Sequence, residues 1–145
     1  MPAIKSTASA VWEGTLRHGK GQVSAAHGAF TGVAYTFAKR FEGAAGAGTT
    51  PEELVAAAHA SCFAMAFSSE LGKVGFTPTS ITVKAVVTLE PVDGHPTVTS
   101  SALEVDATVP GIEDAQFQQV AAGVKVGCPI SRLLNTNITL VAKLG

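Results

Sequence analysis

Two cysteines, Cys62 and Cys128, carry the strongest chemical potential in this chain of 145 residues. A thiolate is a nucleophile, and a pair of thiols can cycle between dithiol and disulfide. Their contexts differ. Cys62 falls within Ala57-Ala58-His59-Ala60-Ser61-Cys62-Phe63, where burial keeps a thiol protonated unless a cation is brought to it. Cys128 precedes Pro129, a pattern that opens a helix and sets the sulfur beside free N–H groups and the positive end of the helix dipole. On position alone Cys128 is the better nucleophile, and Cys62 reads equally well as an inert core residue.

His59 lies three residues before Cys62, on the same helical face. It reads as a packed histidine ahead of a base for Cys62 or a metal ligand with both cysteines, because no CxxC or HxxxH spacing completes a zinc site. Glu53 fits a capping box with Thr50, which leaves Glu52 as the more suggestive acid. Arg40, in Arg40-Phe41-Glu42-Gly43, reads either as a cation aimed at the core edge or as a surface arginine with its stem on Phe41. The chain has no P-loop, dinucleotide-binding glycine motif, nucleophile-elbow serine or calcium loop.

The elements that must position these groups follow from periodicity and caps. Residues 9–15 and 23–25 read as strands around a glycine-bracketed turn, and 34–41 as a third extended segment with Tyr35, Phe37 and Phe41. Thr50 caps a helix that starts at Pro51 and runs to about Leu71, with Gly72 as its C-cap. This helix is apolar or small all round, which predicts burial on every side. Residues 81–91 and 97–109 are two long strands joined through Asp93-Gly94. Residues 113–125 form a second helix, 128–134 a short third one, and 137–144 a closing strand. The order gives an α+β fold in a single domain over residues 1–145.

Hydrophobic residues make up 46% and charged residues 14%, well below the usual quarter charged. A chain this poor in charge is expected to cover an apolar face with a partner, most simply a second copy. Ten basic and eleven acidic residues leave a net charge of −1, so no footprint for nucleic acid or anionic lipid is expected. Two cysteines are too few for a disulfide scaffold. Residues 1–12 lack the apolar core of a signal peptide, and the uncharged run 54–69 is too short for a bilayer span. A soluble cytoplasmic protein with no nucleic-acid or membrane partner is the expectation.

Taken in order, the motifs resemble the OsmC/Ohr peroxidase family. They are Trp12-Glu13-Gly14 with Gly19-Lys20-Gly21, Arg40-Phe41-Glu42-Gly43, Thr50-Pro51-Glu52-Glu53-Leu54, the His59–Cys62 segment quoted above, Gly75-Phe76-Thr77-Pro78, Val109-Pro110-Gly111 and Cys128-Pro129-Ile130-Ser131. The Arg-Phe-Glu-Gly segment is similar to the OsmC branch, and Thr50 replaces an expected Asn. The resemblance implies an intertwined homodimer with antiparallel sheets around long central helices. It also implies a thiol peroxidase without cofactor or metal that reduces organic hydroperoxides in a stress response. Cys62 would be the peroxidatic cysteine and Cys128 the resolving one, with Arg40 holding the thiolate and Glu52 orienting Arg40 and the peroxide. A dithiol, typically a dihydrolipoyl group, would reopen the disulfide. Phe63, Phe67, Leu54 and Met65 are the expected lining of the substrate pocket.

One further expectation comes from helix geometry. Glu52 and Cys62 lie ten residues apart on one predicted helix, about 15 Å along its axis. If both serve one site, a second subunit supplies one of them or the helix breaks. The rival expectations are a non-catalytic dimer that binds a small molecule or lipid, with packing cysteines, a hydrolase using Cys62 with His59, and a metal site of His59, Cys62 and Cys128.

Overall fold

The computed structural model describes residues 1–145, which fall into two compact units, Met1–Pro51 and Glu52–Gly145. Both mix strands and helices, so the α+β expectation holds.

The first unit is an antiparallel sheet of β1 (Ala8–Glu13), β2 (Lys20–Ala25) and β3 (Val33–Tyr35), followed by α1 (Phe37–Phe41). Trp12, Gly21 and Tyr35 stand opposite one another across the three strands. The Trp12 and Tyr35 rings lie 5.5 Å apart, centroid to centroid. A Cβ on Gly21 would meet the Tyr35 ring at 2.6 Å and the Trp12 ring at 2.7 Å, so only glycine lets these aromatics close over the middle strand.

The expected third strand over 34–41 is corrected to a short strand and a helical turn. The Thr36 side chain accepts a hydrogen bond from the Lys39 N–H and caps α1. Phe37 and Phe41, four residues apart, meet at 5.0 Å between ring centroids. A spacing of four suits one helix face as well as one strand face, and the threonine cap decides between them.

The second unit contains α2 (Pro51–Lys73, whose first residue belongs to the first unit), β4 (Ser80–Val92), β5 (His95–Thr108), α3 (Asp114–Gly127), α4 (Pro129–Leu133) and β6 (Asn137–Leu144). Strands β4 and β5 form one long antiparallel hairpin. Its two-residue turn, Asp93-Gly94, has positive φ at both positions (50° and 80°), the geometry that matches strand twist. β6 pairs with β5 in parallel, so this sheet is mixed and not purely antiparallel. The reason lies in the connection: the chain crosses back through α3 and α4 before β6 begins, and such a crossover returns it in the same direction.

β5 is the middle strand, and Ser101, Leu103, Val105 and Ala107 on its alternate positions are buried. Leu103, Val105 and Ala107 share one core with Phe63, Phe67 and Leu71 of α2 and Phe117, Ala121 and Val124 of α3. Helix α2 is thus not buried on every side. His59, Phe63, Phe67 and Leu71 form one buried stripe, while Ala57, Ala58, Ser61, Met65 and Ser68 are exposed within the chain. By length and composition α2 is long and apolar enough to cross a membrane, contrary to the shorter run read from sequence. Its packed aromatic stripe and buried histidine mark it as the core helix of this unit.

The helix also ends later than expected. Gly75, not Gly72, is the left-handed residue, with φ +92°. Its N–H bonds the Gly72 carbonyl at 3.1 Å, and the Phe76 N–H bonds the Leu71 carbonyl at 2.9 Å. This pair of bonds is the glycine-ended cap that satisfies the last helical carbonyls.

Candidate functional site

The site forms where the middle of α2 meets the α3–α4 junction. Cys128 is both the last cap of α3 and the first cap of α4. Its N–H bonds the Val124 carbonyl at 3.0 Å, and Pro129 follows at the first helical position. Its sulfur accepts from the Ser131 N–H at 3.4 Å. The expected helix-opening role of Cys128 is therefore present, and the residue is 1% exposed.

Cys62, on α2, faces the same short helix. The Ile130 backbone and the Cys128 thiol are the groups that act on its sulfur. Both cysteines are free thiols. Two sulfurs thus share the first-turn N–H groups of α4, Cys62 through Ile130 and Cys128 through Ser131. Burial pushes the Cys62 thiol above its ordinary value, the Ile130 N–H pulls it down, and the neighbouring Cys128 pushes it up again. The balance favours the protonated thiol, because none of these neighbours is a cation.

His59 is fully buried, as its reading as a packed histidine requires. Nδ1 lies 2.7 Å from Ser101 Oγ and Nε2 lies 2.8 Å from Ser131 Oγ. Both ring nitrogens are thus engaged by serines, and no group of three or more His, Cys, Asp or Glu side chains is placed to hold a metal. The two serines were not among the expected site residues. Ser131 had a sequence signal in Cys128-Pro129-Ile130-Ser131, where it occupies the third helical position. Ser101 had none, since it sits on β5 and meets His59 only through the fold.

Burial pushes the His59 imidazole below its ordinary 6.5. The unfolded chain therefore binds a proton that the folded chain refuses. Stability is expected to fall as pH drops through about 6.5, because the unfolded state then binds more protons. Urea midpoints measured from about pH 7 to about pH 5 should show this decline, and His59→Gln should flatten it.

The other expected residues are placed as follows. Glu52 is buried in the first turn of the unbroken helix α2, ten residues from Cys62. Arg40 belongs to α1 in the first unit, and its guanidinium lies 5.1 Å from the Phe41 ring centroid. Phe63 and Phe67 are core residues at 0% exposure, not the walls of an open pocket. Leu54 is half-buried and Met65 is 79% exposed. A cleft of about 410 Å³ between α2 and α3 reaches Cys128 past Ala66, Val120 and Val124.

The fold and this cysteine pair define a class. The family model described as OsmC-like protein matches residues 43–143, and the chain belongs to that family. The chain is 46% identical over 137 residues to the Peroxiredoxin OsmC of Escherichia coli (strain K12), covering 94% of each. Among solved structures it resembles an OsmC-like protein of Vibrio cholerae, with a TM-score of 0.75, 18% identity and coverage of 97% of this chain and 100% of that one. It also resembles an organic hydroperoxide resistance protein from Elizabethkingia anophelis, with a TM-score of 0.74, 22% identity and full coverage of both chains. At these identities the structural matches establish the fold.

Proposed function

We propose that this protein is a cysteine-based peroxidase that reduces organic hydroperoxides to alcohols. The observation that carries the reading is the pair of neighbouring free thiols, Cys62 on α2 and Cys128 at the start of α4. It is supported by the name Peroxiredoxin OsmC on a relative that matches nearly the whole chain.

In this mechanism the Cys62 thiolate attacks the distal peroxide oxygen, the O–O bond breaks, and the departing alkoxide takes up the proton that the thiol gave up and leaves as the alcohol. The resulting sulfenic acid condenses with Cys128 to a disulfide with loss of water. A dithiol reductant of the dihydrolipoyl type reopens the disulfide by exchange. Burial holds Cys62 protonated, so a cation is required to make it nucleophilic. Arg40 is the proposed cation and Glu52 the carboxylate that orients it. Leu54 and Met65 remain as proposed lining for the organic group, whereas Phe63 and Phe67 serve the core.

The unbroken α2 removes one of the two options for joining Glu52 to Cys62. Their separation of about 15 Å within one chain exceeds the reach of a glutamate side chain. The proposed active unit is therefore a homodimer with composite sites, each chain acting as one domain over residues 1–145. The exposed Ala57, Ala58, Ser61 and Met65 face of α2 suits burial against a second copy. A soluble protein working in the cytoplasm fits this chemistry, since reduced thiols persist there.

Thiol titration of the wild-type protein tests the reading. One equivalent of cumene hydroperoxide per chain should remove both free thiols, and peptide mapping should find Cys62 joined to Cys128. Two thiols surviving a demonstrated excess of hydroperoxide would sink the peroxidase.

A further inference from the structure

The proposed peroxidase cycle leaves one buried group without a task. His59 is fully enclosed, yet it is not isolated from the sulfur chemistry. Its Nε2 meets Ser131 Oγ at 2.8 Å, and that same oxygen lies 3.3 Å from Cys128 Sγ. The Ser131 N–H also donates to this sulfur at 3.4 Å. On the far side of the ring Nδ1 meets Ser101 Oγ at 2.7 Å. A continuous chain of buried hydrogen bonds therefore runs from β5 through α2 to the N-cap sulfur of α4.

A simple structural histidine needs partners, but its partners need not end on a reactive thiol. One proton order satisfies every link. Nδ1–H donates to Ser101, Nε2 accepts from the Ser131 hydroxyl, and Ser131 Oγ accepts from the Cys128 S–H. This order requires a neutral ring with a lone pair on Nε2, and burial favours the neutral ring.

We propose that His59, acting through Ser131, is a positioning residue for Cys128 in the disulfide-forming step, and that the Cys128 proton leaves along this chain. The inference rests on the peroxidase reading. In the step itself, the Cys128 proton passes to Ser131 Oγ while the Ser131 proton passes to His59 Nε2. The electron pair left on Cys128 sulfur forms the S–S bond as the Cys62 S–O bond breaks. The departing hydroxide becomes water with the proton that His59 returns through Ser131. Thiol and sulfenic acid give disulfide and water, and no outside oxidant enters.

The test follows one turnover of the full chain with cumene hydroperoxide in wild type, His59→Gln, Ser131→Ala and Ser131→Thr. Three quantities are measured: hydroperoxide loss, disulfide formation, and Cys62 sulfenic acid trapped by dimedone. The rate of disulfide formation relative to hydroperoxide loss should fall tenfold or more in His59→Gln and Ser131→Ala, the scale on which aligned proton transfer contributes. Trapped sulfenic acid should rise in step, and Ser131→Thr, which keeps the hydroxyl, should restore most of the ratio. A ratio unchanged in both variants, or no recovery with threonine, would overturn the proposal. Should His59→Gln fail to fold, the two Ser131 variants decide the matter alone. Wild-type protein that leaves the hydroperoxide intact would overturn the peroxidase reading and this inference with it. Wild type that turns over while the variants keep its ratio would overturn this inference alone.

Discussion

Cys62→Ser is expected to slow hydroperoxide consumption by on the order of a thousandfold or more, the scale seen when an enzyme loses its nucleophile. A serine hydroxyl at this position stays protonated in the surroundings that already raise the thiol, and oxygen is a poor nucleophile without ionisation. Cys128→Ser should behave differently. It retains the attacking sulfur, so it should consume close to one equivalent and then stall as the Cys62 sulfenic acid. Single-turnover consumption assays on the two variants separate these roles. The reverse pattern, with activity lost in Cys128→Ser and kept in Cys62→Ser, would mark the N-cap sulfur as the attacking one.

Phe67→Ala carries the largest expected effect on stability. The ring is fully buried, lies 5.7 Å from Phe63 and 5.3 Å from Phe117 between centroids, and joins α2 to α3. Truncation removes the apolar burial and leaves a void among side chains held by three elements. A loss of about 3–5 kcal/mol is expected, as for other buried phenylalanines. Urea unfolding followed by circular dichroism would measure it. A change below about 1 kcal/mol would show that the void collapses or that α2 contributes little to the cooperative core.

Much of the fold was legible because local signals agreed with the tertiary outcome. Asp93-Gly94 set the hairpin, Pro51 opened α2, and the strand read over 137–144 has the observed bounds of β6. The failures came where two signals competed. Phe37 and Phe41 suited strand and helix alike until the Thr36 cap chose the helix. Gly72 was read as the helix end, whereas Gly75 is the residue that takes the left-handed conformation. Parallel pairing of β6 was invisible, since strand direction is set by the crossover and not by the strand's own residues.

The site was legible in the same uneven way. Cys62 and Cys128 were visible as reactive types, and the Cys128-Pro129 pattern correctly placed a sulfur at a helix start. Their contact was not readable from the residues alone, because it depends on how α4 lies against α2. Phe63 and Phe67 were expected at a pocket as apolar neighbours of the cysteine that the resemblance makes reactive. One and five positions along a helix from Cys62, they instead follow His59 at steps of four along the buried stripe. The Ser101–His59–Ser131 chain joins three elements, so no sequence window contains it.

The parallel pairing of β5 with β6 also bears on how quickly the molecule assembles. The β4–β5 hairpin can zip outward from its own turn, since each pair lies close in sequence near Asp93-Gly94. The β5–β6 ladder joins Ser100 to Asn137 and Ala107 to Leu144, so each of its bonds closes a loop containing α3 and α4. Such non-local closure is slow and comes late in folding. Cys128 and Ser131 ride on that loop, while Cys62 rides on a helix whose backbone bonds are all local. The reactive pair is therefore expected to come together late in folding, after the local bonds of α2 have formed.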